Sequence, residues 1–229
     1  SFGGSVALSG NDEAIADNTP LMLGAVTTTG NFNAIGTGGL SFGATSVGGT
    51  LSATSGNGAI TQTGALAVAG TSSLNAGTGD IRLNDTTNDF KGAVSSSGAN
   101  VSLTDGAGGL VLGATSATGT LSVTSTNGAI TQVAPNQSDA LSAVGTATFT
   151  ASNGATPEVR YDVTLANPSN DFSVLNVTGQ AVQIKDGNVL TASLNTTGPA
   201  NVSVVGNLAV NGTVSGTGSN LTTITSGAG

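Results

Sequence analysis

Gly39-Leu40-Ser41-Phe42-Gly43-Ala44-Thr45 through Gly58-Ala59-Ile60-Thr61-Gln62 returns as Gly109-Leu110-Val111-Leu112-Gly113-Ala114-Thr115 through Gly128-Ala129-Ile130-Thr131-Gln132, offset by 70 residues without a gap. Self-similarity of this kind marks a repeat architecture, in which each unit buries its apolar face only against its neighbours. The chain therefore reads as a stack of coils before any motif is considered.

A finer period lies inside the large one. With the duplicated segments as the guide, the apolar positions sort into two alternating series. One runs Phe32, Leu51, Leu66, Ile81, Val101, Leu121, Leu141, Val159, Val182, Val202, Leu221; the other runs Leu21, Leu40, Ile60, Leu74, Phe90, Leu110, Ile130, Phe149, Phe172, Leu190, Val210. The spacing predicts coils of about 19 residues, about eleven in all, with at least two strands each. On this reading the 70-residue repeat is four coils, from Leu40 through Ile60, Leu74 and Phe90 to Leu110.

Local patterning says what the coils are made of. Leu121-Ser122-Val123-Thr124, Val101-Ser102-Leu103-Thr104, Ile81-Arg82-Leu83-Asn84 and Val182-Gln183-Ile184-Lys185 alternate apolar and polar residues, which is the period of a half-buried strand. Glycine and asparagine clusters between them supply turns and interrupt any helix, and no apolar run approaches membrane-spanning length. The reading is all-β: a parallel β-helix, with residues 1–229 as one continuous domain and a rod on the order of 50 Å long at a rung spacing of roughly 4.8 Å.

Composition limits function. Hydrophobic residues make up 37% of the chain but aromatic ones only 3%, so stacked Val, Leu, Ile and Ala must form the core. A net charge of −8 with four basic residues gives no electrostatic footprint for nucleic acid or anionic lipid. Cysteine and histidine are both absent, which removes Ser-His-Asp and Cys-His catalysis and zinc sites of ordinary composition.

Carboxylates remain to be weighed. Asp80, Asp85 and Asp89 with Arg82 and Lys91 form the densest group, and Glu158, Asp162 and Asp171 with Arg160 form a weaker copy, aligned by Asp80-Ile81-Arg82-Leu83 on Glu158-Val159-Arg160-Tyr161. A cation-binding or carbohydrate-active strip would use such groups; outward ion pairs duplicated along with the sequence explain them as well, and that is the reading taken. Asn88-Asp89-Phe90 and Asn170-Asp171-Phe172 concentrate oxygen ligands of the kind calcium takes, yet read as turns capped by Asx side chains before an inward Phe. No catalytic residue, cofactor or metal ligand is assigned. Asn-x-Ser/Thr sequons begin at Asn84, Asn100, Asn136, Asn176, Asn195, Asn201, Asn211 and Asn220, dense enough to arise by chance in so Asn- and Thr-rich a chain, with glycosylation as the alternative.

Gly58-Ala59-Ile60-Thr61-Gln62-Thr63-Gly64-Ala65-Leu66-Ala67-Val68, Ile81-Arg82-Leu83-Asn84-Asp85-Thr86-Thr87-Asn88-Asp89-Phe90 and Val101-Ser102-Leu103-Thr104-Asp105 resemble the shaft repeats of filamentous haemagglutinin-like adhesins. The resemblance implies a right-handed parallel β-helix, export by a partner outer-membrane transporter, and a place at the bacterial surface or in the medium as part of a much larger exoprotein. The function expected is that of a non-catalytic shaft, with neighbouring coils as its partners, a host or neighbour-cell receptor elsewhere in the parent, and end-to-end self-association through unpaired strand edges. The rival reading is a β-helical carbohydrate-binding or carbohydrate-active domain, or an autotransporter passenger; one tyrosine and six phenylalanines leave a sugar-binding domain little stacking surface.

Overall fold

In the computed structural model, which describes residues 2–133, 137–214 and 221–227, the chain winds into a β-solenoid of about 10 turns. Among the described residues twenty-five strands pair with one another only in parallel, and the one helical element is the single 3-10 turn Gln137–Asp139. No helix among the described residues is long and apolar enough to cross a membrane.

Each full coil carries three strands. The first side is one unbroken ladder whose inward rungs are Leu21, Leu40, Ile60, Ile81, Val101, Leu121, Ala147, Leu175, Ala192 and Val210. Its intervals average about 21 residues, close to the period read from the sequence. The second side carries Val26, Thr45 and Leu66 down to the strand Asp89–Phe90, then reopens as Leu110, Ile130, Val163, Val182 and Ala200. Phe32, Leu51, Ser72 and Val94 line the third side, which continues through the column Ser96, Thr115 and Leu141 and ends at Phe172. Beyond Phe172 the third side shrinks to a turn at Gly187, Asn188 and Val189, so the last coils are shorter.

Parallel stacking in register places like on like, and the interior is a column of fully buried Leu, Ile, Val and Ala with Phe32, Phe42, Phe90, Phe149 and Phe172. Phe149 and Phe172 meet edge to face at 5.8 Å on successive coils. Where the chain turns a corner it uses a repeated device. Thr45 and Thr115 point inward and donate to the carbonyls of Gly43 and Gly113, at 3.0 and 3.3 Å. The pairs Gly38–Gly39 and Gly108–Gly109 have φ of 94° and 151°, and of 83° and 95°, values that exclude a side chain without strain.

Two details of the sequence reading are corrected. The 70-residue repeat is not four coils. Leu40–Phe42 lies on the first side and its duplicate at Leu110 on the second; the ten strands from Leu40–Phe42 to Val101–Asp105 make three coils and one strand more. Sequence spacing alone could not separate the cases, because three short strands of a coil and two longer ones give similar apolar intervals. Val159, placed in the inward series, is instead 46% exposed on an excursion between the strands Leu141–Ala151 and Val163–Leu165. The first side runs past that excursion undisturbed, so the extra residues are extruded at a corner and do not enter the core.

The three-sided register makes Thr61 and Arg82 neighbours on adjacent coils. A chain with no native cysteine and with Thr61→Cys and Arg82→Cys will form a disulfide on mild oxidation, because in-register parallel neighbours bring Cα atoms about 5 Å apart. The pair Ala67→Cys and Arg82→Cys, adjacent in the two-series reading, will stay reduced. Electrophoretic mobility without reductant distinguishes the two. In the core, Ile81→Ala will lower unfolding stability by about 3–5 kcal/mol in denaturant titration, since a fully buried rung leaves a cavity between two coils.

Candidate functional site

The charged groups singled out in the sequence lie outward and are occupied locally. Asp80 pairs with Arg82 two residues on at 2.5 Å, and accepts both the backbone and side-chain amides of Asn100 on the next coil at 3.1 and 2.9 Å. The Asn100 bonds, aided by Arg82, hold its carboxyl below the usual range. Asp85 accepts the amide and hydroxyl of Thr87, which lower its pKa in the same way. Lys91 lies 3.6 Å from Asp89, a largely exposed pair.

The second group is not its copy. Asp162, not Glu158, occupies the place of Asp80: it precedes Val163 as Asp80 precedes Ile81, and it accepts the next coil's amide, from Ala181, at 3.0 Å. Glu158 sits on the excursion, where Ser152 and then Arg160 hold its pKa down. Arg160 also donates to the carbonyl and side-chain oxygens of Asn195, pinning the excursion across the stack. Asp171 accepts from Asn188 at 2.5 Å. Among the described residues, no three or more acidic side chains converge as they would around a metal ion.

Asn88-Asp89-Phe90 and Asn170-Asp171-Phe172 are not simple capped turns, and they are not oxygen cages. Asn88 and Asn170 turn into the core and are completely buried. The Asn88 amide is fully used: its Oδ1 accepts Gln62 Nε2 at 2.9 Å and the Leu66 amide at 2.8 Å, while its Nδ2 donates to Gln62 Oε1 at 3.0 Å and to the carbonyls of Leu83 and Thr104. Asn170 repeats the network with Gln132, the Leu141 amide and the carbonyls of Leu165 and Lys185. Each network joins three successive coils through two side-chain amides.

Next to each lies a second element. The amide of Phe90 donates to Asp105 Oδ1 at 2.8 Å, and that of Phe172 to Asp186 Oδ2 at 2.8 Å. Each carboxylate also accepts the amide two residues beyond itself, of Ala107 at 3.3 Å and of Asn188 at 3.0 Å. At both places a neighbouring strand is missing beside the Phe, and a side-chain carboxylate takes the place of that strand's carbonyl. A third copy joins the Phe2 amide to Asp17 at 2.8 Å, with Thr19 amide and hydroxyl on its other oxygen. Burial pushes Asp105 and Asp186 up to about 6 despite these bonds, whereas the Phe2 amide, followed by Thr19, holds Asp17 below the usual range.

These residues were visible in the sequence by parity. Asn88 is two residues before the inward Phe90, and Asp105 follows Val101 and Leu103 at the same alternation; a polar residue recurring at an inward position in two copies is the signal. Of the sequons, Asn84, Asn100, Asn195, Asn201 and Asn211 are exposed and Asn176 is half-buried; Asn136 and Asn220 lie outside the described residues.

Asn88→Ala removes two bonds from the Gln62 amide and leaves the buried Leu66 amide without its acceptor. It will destabilise the chain by about 2–4 kcal/mol, as Asn170→Ala will, while Asn84→Ala on the surface will stay within about 0.5 kcal/mol in the same denaturant titration.

A family model described as repeats of unknown function, DUF5649, matches residues 34–97 and again 98–179. No curated protein and no solved structure matches the chain. Both networks sit at the ends of these units. Asn88 and Phe90 of the first unit are bonded to Thr104 and Asp105 of the second, and Asn170 and Phe172 close the second against Lys185 and Asp186. Part of the second unit's extra length is the excursion between Ala151 and Val163. Over more than half its length, in two consecutive units fastened by the same side-chain network, the chain belongs to the DUF5649 repeat family.

Proposed function

We propose that this chain is a structural shaft segment of a large fibrous exoprotein displayed at the bacterial surface or released from it, of the filamentous haemagglutinin-like adhesin type, and that it does no catalysis. The observation that carries this reading is the continuous first ladder, which links the coils from Leu21 to Val210 around one continuous hydrophobic core. A rod of this kind transmits position, not chemistry. Its carboxylates support the reading too, since those of the two charged groups bond to turns and strand neighbours on their own or adjacent coils. Partners under this proposal are the adjoining coils, an outer-membrane transporter during export, and a receptor engaged by another part of the parent protein.

The shallow groove of about 450 Å³ lined by Asp162, Thr164, Gln183, Asn201 and Pro199 favours a second reading, a carbohydrate-binding face, because planar amide and carboxylate groups suit sugar hydroxyls. Its test is direct. Gln183→Ala with Asn201→Ala will abolish glycan-array signal if the groove binds sugar, and no signal from the unaltered chain removes the reading.

An antibody raised against this chain, used on cell fractions of the native host, checks the shaft reading. The expected result is a species far larger than 21.7 kDa in the surface fraction or the medium. A species of about that mass confined to the cytoplasm overturns it.

A further inference from the structure

Asp105 and Asp186 stand apart from the other carboxylates with shifted titration. Both are buried, at 0% and 2% exposure, and both are built into the same Phe–Asp clasp at the end of a repeat unit. Among the described residues no cation enters either clasp; the bonds to each carboxylate come from backbone amides.

The groups around them are few. Facing Asp105 from the strand Asp89–Phe90 is Asp89, a like charge whose own partner is Lys91. In register with it on the strand Leu121–Ser125 is Ser125, uncharged, with a buried hydroxyl that has no hydrogen-bond partner among the described residues. Its own strand, Val101–Asp105, and the turn that follows bring no other charge. Facing Asp186 from the strand Asp171–Gly179 is Asp171, again a like charge, and in register on the strand Ala200–Val205 is Val204. Lys185, beside it on its own strand, points to solvent. In both clasps, then, the negative form is kept from water and set beside a second acid, while a neutral carboxyl still offers its carbonyl oxygen to the phenylalanine amide.

We propose that the two buried clasps, Phe90–Asp105 and Phe172–Asp186, are acid-strengthened fasteners: proton uptake by their carboxyl groups between neutral pH and about pH 5 makes the solenoid harder to unfold. The sign follows from linkage. A carboxyl group that titrates near 6 in the folded chain and near 4 in the unfolded one holds its proton more tightly when folded, so stability rises as pH falls through 6 and levels off below about 4. Asp17, Asp80, Asp85 and Glu158, whose values are lowered, act the other way, losing their contribution as pH falls from about 5 downward. With no histidine or cysteine in the sequence, the window between pH 5 and 7.5 contains no side chain of ordinary titration to obscure the effect.

The experiment is thermal unfolding of the full chain at pH 7.5 and pH 5.0, at constant ionic strength, beside Asp105→Asn, Asp186→Asn and the double variant. The expected result is a rise of roughly 3–10 °C in the midpoint of the unaltered chain on acidification, about half of it in each single variant, and almost none in the double variant. Equal rises in the unaltered and double-variant chains would overturn the proposal, as would a flat or falling midpoint in the unaltered chain. Carbon-13 titration of the aspartate carboxyls in the unaltered chain needs no variant to fold. Two resonances with midpoints near 6 support the clasps, and midpoints all below 5 overturn them.

Discussion

Everything in this solenoid depends on the demand that each coil's backbone amides and carbonyls find partners on the coils above and below. Parallel ladders meet the demand only if successive coils share one cross-section, which fixes strand positions and brings each inward side chain against the one a coil earlier. Columns such as Leu40, Ile60, Ile81 and Val101 follow directly. So does the use of glycine at the corner Gly43, where a Cβ would collide with the carbonyl of Gly24.

The clasps belong to the same demand. Opposite Phe90 and Phe172 the chain turns too sharply to lay down a strand, leaving a backbone amide with no carbonyl to meet. A carboxylate from a strand end supplies the acceptor, and an asparagine two residues before the phenylalanine gathers the carbonyls and amides that the interrupted ladder leaves over. Side chains here do the work of backbone. That is why polar residues occur at inward positions in both repeat units, and why they are the same residue types in the same places of the coil, Gln62 with Asn88 and Gln132 with Asn170, although 26 residues separate the first pair and 38 the second.

Much of this was legible in the amino-acid order. Alternation in Val101-Ser102-Leu103-Thr104 and in Leu121-Ser122-Val123-Thr124 identified strands and their inward faces, because a sheet's two-residue period leaves no other arrangement. The duplication identified a stack. What spacing could not convey was which strands share a side, since that depends on where the chain bends, and bends such as Gly43-Ala44 and Gly113-Ala114 occur inside apolar runs that look like single strands. The candidate site was legible in composition but not in role. Asp80, Asp89 and Arg82 draw attention by charge although they lie on the surface, while Asn88, which reads as a turn cap, and Asp105, which carries no signal but its alternation, sit at core parity.

The most consequential feature of the fold is that a repeat unit does not close on a whole number of coils. Ten strands at three to a coil return the sequence to the stack one side further round, so Gln62 lies on the first side and its duplicate Gln132 on the second. Equivalent turns therefore face different directions along the rod. A unit with a whole number of coils would align every corner on one side and leave the others featureless; a unit with one strand more distributes its corners around the axis. The excursion between Ala151 and Val163 shows what a corner tolerates, since it occupies the place held in the first unit by the short turn between Asn75 and Ile81, and the ladders on both sides continue past it. Corners can thus vary in length and chemistry while the ladders and clasps stay constant, and successive units present that variation to different sides of the same rod.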